Sequence, residues 1–351
     1  MKHYIIPLFI PHEGCPHQCV FCNQRRITGV VTSVTPADVK RILDFHLAGI
    51  TRPYYVEAAF YGGSFTALPE SLQQALLAPA KQKFLAGNLD AVRLSTRPDC
   101  IDPKNLVHLK EAGVKLIELG AQSFDDRVLR QSGRGHTAAD IVQAAGQVRD
   151  AGMDLGIQLM PGLPGDTTAS LQQTLTAALA LRPDVVRLYP TLVLRDTPLE
   201  KLWRRGSFLP LRLDTAVAVT AVMKLALERA GAQVIRTGLQ SSPELDTGGT
   251  VLAGPYHPAF GELVENYIFA AMATDLFQAV GGLRGSVTLH HAPVDASKLR
   301  GQKNRNLCLW RRQYPSASIR LQADESPDIL RLSVGSHDYK VTRREIRLTM
   351  P

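Results

Sequence analysis

Three cysteines spaced C-x3-C-x2-C, in Gly14-Cys15-Pro16-His17-Gln18-Cys19-Val20-Phe21-Cys22-Asn23, carry the most specific chemistry in this 351-residue sequence. Thiolates this close converge from one short loop, and soft sulfur donors select iron–sulfur clusters, zinc or copper(I). Their number discriminates. A structural zinc takes four protein ligands, so here His12 or His17 would have to join the sulfurs. A cubane cluster held by three cysteines leaves one iron open to a substrate or cofactor, which makes the loop a reactive centre.

Downstream, polar and glycine-rich stretches follow short apolar runs. Tyr61-Gly62-Gly63-Ser64-Phe65 has adjacent glycines, which permit positive φ and close approach of backbone to a ligand. In Leu94-Ser95-Thr96-Arg97-Pro98-Asp99, the last three residues suit a turn with a local ion pair, while Ser95 and Thr96 are candidates to reach a ribose. Gln122 and Arg134, in Gly120-Ala121-Gln122-Ser123 and Arg134-Gly135-His136-Thr137, suit a zwitterion. The amide gives and takes hydrogen bonds, and the guanidinium grips a carboxylate with a planar fork. Gln158 opens Gln158-Leu159-Met160-Pro161-Gly162-Leu163-Pro164-Gly165, a rigid loop that would bring backbone beside a flat group such as adenine.

These stretches need a scaffold that gathers them. Residues 3–10, 55–61, 90–95, 114–119, 153–159 and 184–189 read as strands, near-continuous apolar runs of the kind covered on both faces. Helices between them begin at Thr35-Pro36, at Asp102 and at Thr137, and the last two end near Gly113 and Gly152. Alternation of this kind predicts an α/β fold, a partial (β/α)6 TIM-like barrel with its site at the C-terminal ends of the strands. The cysteine loop follows the first strand and so falls on that rim. Past residue 190 the pattern loosens. Residues 198–205 and 213–230 read as helices, 233–237 as a further strand, and 248–265 as a glycine- and proline-rich crossing of the site mouth. A helix over 262–280 and antiparallel strands over 284–290, 318–323, 329–335 and 338–349 predict a small α+β C-terminal extension. The expected division is 1–260 for the barrel with its flanking helices and 261–351 for the extension.

Composition is that of a soluble globular chain, 45% hydrophobic and 21% charged. Five cysteines, three in one loop, argue against a disulfide scaffold and for a reducing cytoplasm. The N-terminus reads as a first strand rather than a signal peptide, and no apolar run reaches membrane-spanning length. The net charge is +8, and residues 295–351 hold twelve Lys/Arg against six Asp/Glu. That basic segment suggests a polyanion such as nucleic acid, unless it is only a solvated surface.

The cysteine spacing, with Phe21 before the third cysteine, resembles the cluster loop of radical S-adenosylmethionine (radical SAM) enzymes. The order of the later motifs, through Leu188-Tyr189-Pro190-Thr191-Leu192 and Trp203-Arg204-Arg205-Gly206, is similar to the elongator catalytic subunit and its bacterial relatives. The resemblance covers roughly residues 5–211, more loosely 212–265. It implies Cys15, Cys19 and Cys22 as ligands of a [4Fe–4S] cluster whose free iron chelates S-adenosylmethionine. It places Phe21, Gly62, Gly63, Ser64, Ser95, Gln122, Arg134 and Gln158 around that cofactor. It also implies a flavodoxin- or ferredoxin-like electron donor.

Departures narrow the inference. Nothing here resembles the acetyl-coenzyme A site of the elongator subunit, and Ser95 stands where its pattern has a glutamate. Short stand-alone bacterial proteins of the branch, often labelled coproporphyrinogen oxidase-like, are closer in architecture. Methylthiotransferases need three further cysteines, and only Cys100 and Cys308 remain, read here as inert core residues. Coproporphyrinogen oxidases typically carry a cysteine two residues after the third, where Asn23-Gln24 stands. For the substrate, Tyr189, Tyr256, His257 and Glu262 are candidate pocket residues. Lys303 and Arg305, with Trp310 as a stacking platform, would suit RNA. RNA, with a tRNA base as its specific form, is the favoured reading. A tetrapyrrole or other small molecule, and a non-catalytic zinc-binding RNA module, are the alternatives.

Overall fold

A computed structural model describes residues 2–10, 15–23, 34–50, 54–246 and 249–351. His12, Gln24 and Gly248, named above, lie outside the described residues. Six of the strands are those expected: β1 Lys2–Phe9, β2 Tyr54–Tyr61, β3 Ala91–Thr96, β4 Val114–Gln122, β5 Asp154–Leu159 and β6 Val185–Leu188. Then come β7 Val193–Leu194, β8 Gln233–Thr237, β9 Val251–Ala253, β10 Gly285–His291, β11 Ala317–Ala323, β12 Ile329–Val334 and β13 His337–Thr342.

The first sheet has seven strands, not six, in the order β1-β2-β3-β4-β5-β6-β8, every neighbouring pair parallel. Its end strands β1 and β8 do not pair with each other, so the barrel is partial. Local chemistry sets the helices between strands. Thr35 and Thr137 make capping boxes with Asp38 and Asp140, and the Asp102 side chain accepts from Lys104 N. Gly113 stops the helix Pro103–Glu111 at φ +86°, where a Cβ would strike the Phe84 ring. Outward-facing Leu8, Phe60, Leu94, Leu119, Ile157 and Leu188 pack under these helices as the main core.

The inward face corrects the expectation of apolar strands. Glu57, Arg93 and Glu118 occupy it, buried, with Arg187 beside them. A chain of ion pairs runs from His3 through Glu57, Arg93 and Glu118 to Arg187.

In the C-terminal region β11-β10-β12-β13 form a second sheet, packed with the helices Leu213–Arg229 and Phe260–Ala279 around another apolar core. Its strands are not all antiparallel. β10 and β11 run parallel, because the helices Ala296–Arg300 and Arg305–Gln313 form the crossover such a pair requires. Trp310 lies in that core, 1% exposed, its ring edge-on to Phe277. It offers no stacking platform to a base. Nor are the two remaining cysteines core residues: Cys308 is exposed and Cys100 half-buried.

Candidate functional site

β1 hands the chain to the rim, where Ile10 N donates to Tyr61 O at 2.7 Å. The cysteine loop is then fixed by backbone bonds to distant elements. Val20 N donates to Ser132 O at 3.0 Å, and Leu199 N donates to Val20 O at 2.8 Å. The Asn23 side chain donates to Arg195 O at 3.2 Å. Phe21 packs into a small apolar cluster with Val193, Leu199, Leu252 and Ala253, drawn from β7, β9 and the helix Pro198–Arg204, and with Phe208 just after that helix. Residues 251–253 therefore do lie beside the rim, and this cluster shields one side of the loop. Glycines let backbone approach: at Gly133 (φ +65°) a Cβ would stand 3.1 Å from Gln18 O, and at Gly62 (φ +102°) one would stand 3.3 Å from Ile10 O.

Cys19 is 7% exposed, while Cys15 and Cys22 are half-buried. Two guanidinium groups face the Cys19 sulfur. Arg134 Nη1 donates to Sγ at 3.1 Å and its Nη2 donates to Gly120 O. Arg97 Nη1 lies 3.9 Å from the same sulfur. Cationic donors against sulfur suit a thiolate, the form in which cysteine binds a soft metal, better than a thiol, although among the described residues no three His, Cys, Asp or Glu side chains are gathered closely enough to form a metal site. Burial pushes the Cys15 thiol up, as does neighbouring Cys19, while Arg97 and Arg134 pull it down. Behind this layer Asp99 pairs with Arg97 and faces His17 and His136. Burial, reinforced by Arg134 and Arg97, pushes His136 down to about 4, so its ring is neutral at pH 7.

The structure brings the other strand-end residues to the same rim in different capacities. Gln122 ends β4 at φ +68°, buried, its Oε1 accepting from Gln158 Nε2 at 3.0 Å. The missing Cβ of Gly120 makes room for Gln122 Nε2 and Arg134 Nη2. Gly63 is half-buried beside Gly62, and half-buried Ser95 shares the inward face of β3 with Arg93. Ser64 is a brace. Fully buried, its Oγ lies 3.0 Å from Thr96 Oγ1 and accepts from Arg97 N at 3.2 Å, tying the ends of β2 and β3 together.

Sequence reasoning missed the ionic group below the rim. Arg187 pairs with both oxygens of Glu118, donates to Tyr61 Oη at 2.9 Å and to Tyr189 Oη at 3.1 Å, and stacks over the Tyr61 ring. Burial opposes its charge, but Glu118 more than offsets this and raises its pKa above the ordinary guanidinium value. The available signal was polar side chains at even spacing, Glu118 with Gln122 on β4 and Arg187 with Tyr189 at the end of β6, inside apolar runs.

The remaining candidates are engaged elsewhere. Tyr256 Oη donates to Asp246, and burial with that carboxylate pushes its hydroxyl up to about 12. His257 Nδ1 accepts from Ala259 N at 3.0 Å, and its Nε2 faces Gln302. Glu262 lines a cavity of about 510 Å³ between β8 and residues 258–262. Lys303 and Arg305 are exposed at a kink in the extension.

The radical SAM superfamily profile matches residues 9–178, and the radical SAM C-terminal domain profile matches residues 183–269. A tRNA uridine(34) acetyltransferase of Methanocaldococcus infernus is 31% identical over 182 residues, 51% of this chain and 33% of that protein. Elongator complex protein 3 of Homo sapiens is 31% identical over 173 residues, 44% of this chain and 32% of that protein. The chain thus spans about a third of the length of these curated relatives. The solved Elp3 of M. infernus superimposes with a TM-score of 0.59 at 22% identity, covering 76% of this chain and 62% of that one, a likeness of fold. Among the described residues no helix is long and apolar enough to cross a membrane.

Proposed function

Because the chain belongs to the radical SAM superfamily, a family of enzymes, we propose that Cys15, Cys19 and Cys22 hold a [4Fe–4S] cluster and that the adjoining rim binds S-adenosylmethionine. The observation that carries this reading is the Cys19 sulfur, buried at the rim and facing Arg134 Nη1 at 3.1 Å. When bound, the cluster would supply the single electron that breaks the cofactor's C5′–S bond and starts radical chemistry.

In this reading the chain itself positions and shields. Gly62 and Gly63 let backbone come close to the cofactor, and Gln122, oriented by Gln158, presents its amide to a polar group. Ser95 lies on the inward face within the same mouth. Phe21 and its apolar neighbours keep water from one side of the loop. The reducing electron comes from a flavodoxin- or ferredoxin-like donor. RNA is the substrate class best supported, with a tRNA base as its specific form. Its support is the M. infernus relative, a tRNA uridine(34) acetyltransferase, and the exposed Lys303 and Arg305 in a segment with a surplus of positive charge. Residues 1–260 would then form the catalytic unit and 261–351 the RNA-facing extension.

Anaerobic reconstitution tests the core of this. The protein should turn brown, bleach with dithionite, and release 5′-deoxyadenosine from S-adenosylmethionine, and Cys19→Ala should abolish both properties. A colourless, zinc-loaded protein, or one that never yields 5′-deoxyadenosine, overturns it. The RNA reading is tested separately by filter binding across a salt series. Phosphate contacts must weaken as salt rises, so salt-independent or absent binding removes it.

A further inference from the structure

The Arg97-Pro98-Asp99 turn does more than close on itself. The Arg97 side chain is 4% exposed. Its Nε and Nη2 each donate to a different Asp99 oxygen at 2.9 Å, and Nη2 also meets Arg134 O. That leaves Nη1 directed at Cys19 Sγ, 3.9 Å away, on a sulfur that Arg134 already reaches at 3.1 Å. The anchoring carboxylate is itself surrounded by positive or protonatable groups, with His17 Nε2 at 3.6 Å and His136 Nδ1 at 3.9 Å besides Arg97. A buried guanidinium held in three directions is costly to keep. Its remaining direction faces sulfur, that of Cys19 at 3.9 Å, with the Cys100 thiol also beside the guanidinium.

We propose that Arg97 is a positioning residue that sets the reduction potential of the cluster through Cys19, with Asp99 as its electrostatic counterweight. This rests on the reading that Cys15, Cys19 and Cys22 hold an iron–sulfur cluster. Reduction moves one electron from the external low-potential donor to the cluster, and so adds one negative charge beside Cys19. A cation there favours the reduced form and raises the potential, while an anion behind that cation opposes it. The two side chains of one turn therefore pull the potential in opposite directions.

The test uses reconstituted full-length protein, with iron and sulfide per chain measured first and the midpoint then read by anaerobic redox titration with EPR detection. Arg97→Gln should lower the reduced-to-oxidised ratio at fixed poise by about tenfold, or about 59 mV for a one-electron couple. Arg97→Lys, which keeps the charge, should stay close to the parent. Asp99→Asn should move the other way, because Arg97 stays tethered by Arg134 O while its counter-charge is gone. A purely structural turn would lose cluster in both variants, or shift both in one direction, and either result overturns the proposal. So does an unchanged midpoint at full iron content. If Arg97→Gln fails to assemble a cluster, Arg97→Lys and Asp99→Asn decide by the same criteria. A parent protein that binds no cluster is a different failure, that of the cluster reading itself.

Discussion

Inside the seven-stranded sheet, Glu57, Arg93, Glu118 and Arg187 lie together with side-chain exposures of 6%, 4%, 4% and 14%. Under the four-stranded sheet the corresponding space holds Leu289, Leu330, Leu332, Phe277 and Trp310. There Arg331 and Asp338, 25% and 54% exposed, stay toward solvent, and the buried Arg343, 12% exposed, pairs with Glu265 and Glu228 on the neighbouring helices rather than inside the sheet. Similar strands thus enclose a dry apolar core in one region and a set of desolvated charges in the other. Desolvating ions usually costs more than their attraction returns, and an apolar filling would be at least as stable. The barrel interior is therefore better explained by what it holds in place. Arg187 fixes the Tyr61 and Tyr189 hydroxyls at the mouth and is itself fixed by Glu118. The face of the second sheet that packs on its helices carries apolar side chains instead.

The sharpest way to break this contrast is to remove one member of the buried set. Arg187→Met strands the Glu118 carboxylate against Arg93 Nη1, 3.6 Å away, with no other partner in the ion-pair chain. The expected loss is about 3–5 kcal/mol in denaturant unfolding of the cluster-free protein. Adding Glu118→Gln should recover part of it, since no carboxylate is then stranded. A cost below about 1 kcal/mol for the single variant, typical of exposed pairs, would mean that the barrel interior is wet and the contrast false.

His136 gives the next largest effect and ties the comparison to pH. Its pKa is pushed down to about 4 in the folded chain, first by burial and then by Arg134 and Arg97, from the ordinary 6.5. The unfolded state therefore binds a proton that the folded state refuses as pH falls from 6.5 to about 4. Stability is full above that window and is lost on acidification, by roughly 3 kcal/mol across it. His136→Gln, which can still donate to Ala121 O, should flatten that part of the profile. If parent and variant lose stability equally between pH 7 and pH 4, the ring is not the cause.

How far the sequence disclosed these two regions follows from the kind of signal each leaves. Strand and helix ends in the barrel were readable because Thr35, Asp102 and Thr137 cap helices and Gly113 stops one, all by local chemistry. The rim was readable because cysteine spacing is itself local. Gln122, Arg134 and Cys19 could be named, but not the contact between the last two, which spans 115 residues. Arg187 was hidden for the same reason: it acts through partners on other elements, and inside a mostly apolar run a lone arginine looks like an edge position. The local pair of Arg97 with Asp99 was readable, but its reach to Cys19, 78 residues away, was not. In the extension, alternation marked strands correctly but could not reveal direction. β10 and β11 are parallel because a crossover joins them, and Trp310 is core because the helix carrying it turns inward. Tertiary placement decided both.

Arg331 supplies the smallest effect and the other half of the contrast. It reaches Asp338 at 2.9 Å, Glu325 at 3.3 Å and Asp324 at 3.7 Å, more acidic partners than Arg187 has. A count of ion pairs would rank it the more important arginine. Solvent reverses that ranking, because Arg331 is 25% exposed and two of its partners, Asp338 and Asp324, are 54% and 36% exposed, where water replaces the lost pairing, with Glu325 at 14% the least exposed of the three. Arg331→Ala should therefore change unfolding by no more than about 1 kcal/mol. The residual effect should shrink as ionic strength rises, since salt screens exposed charges and barely reaches buried ones. The cost of Arg187→Met should persist under the same salt. Measuring both variants at low and high salt asks whether burial, rather than the number of partners, determines what an arginine contributes in each region.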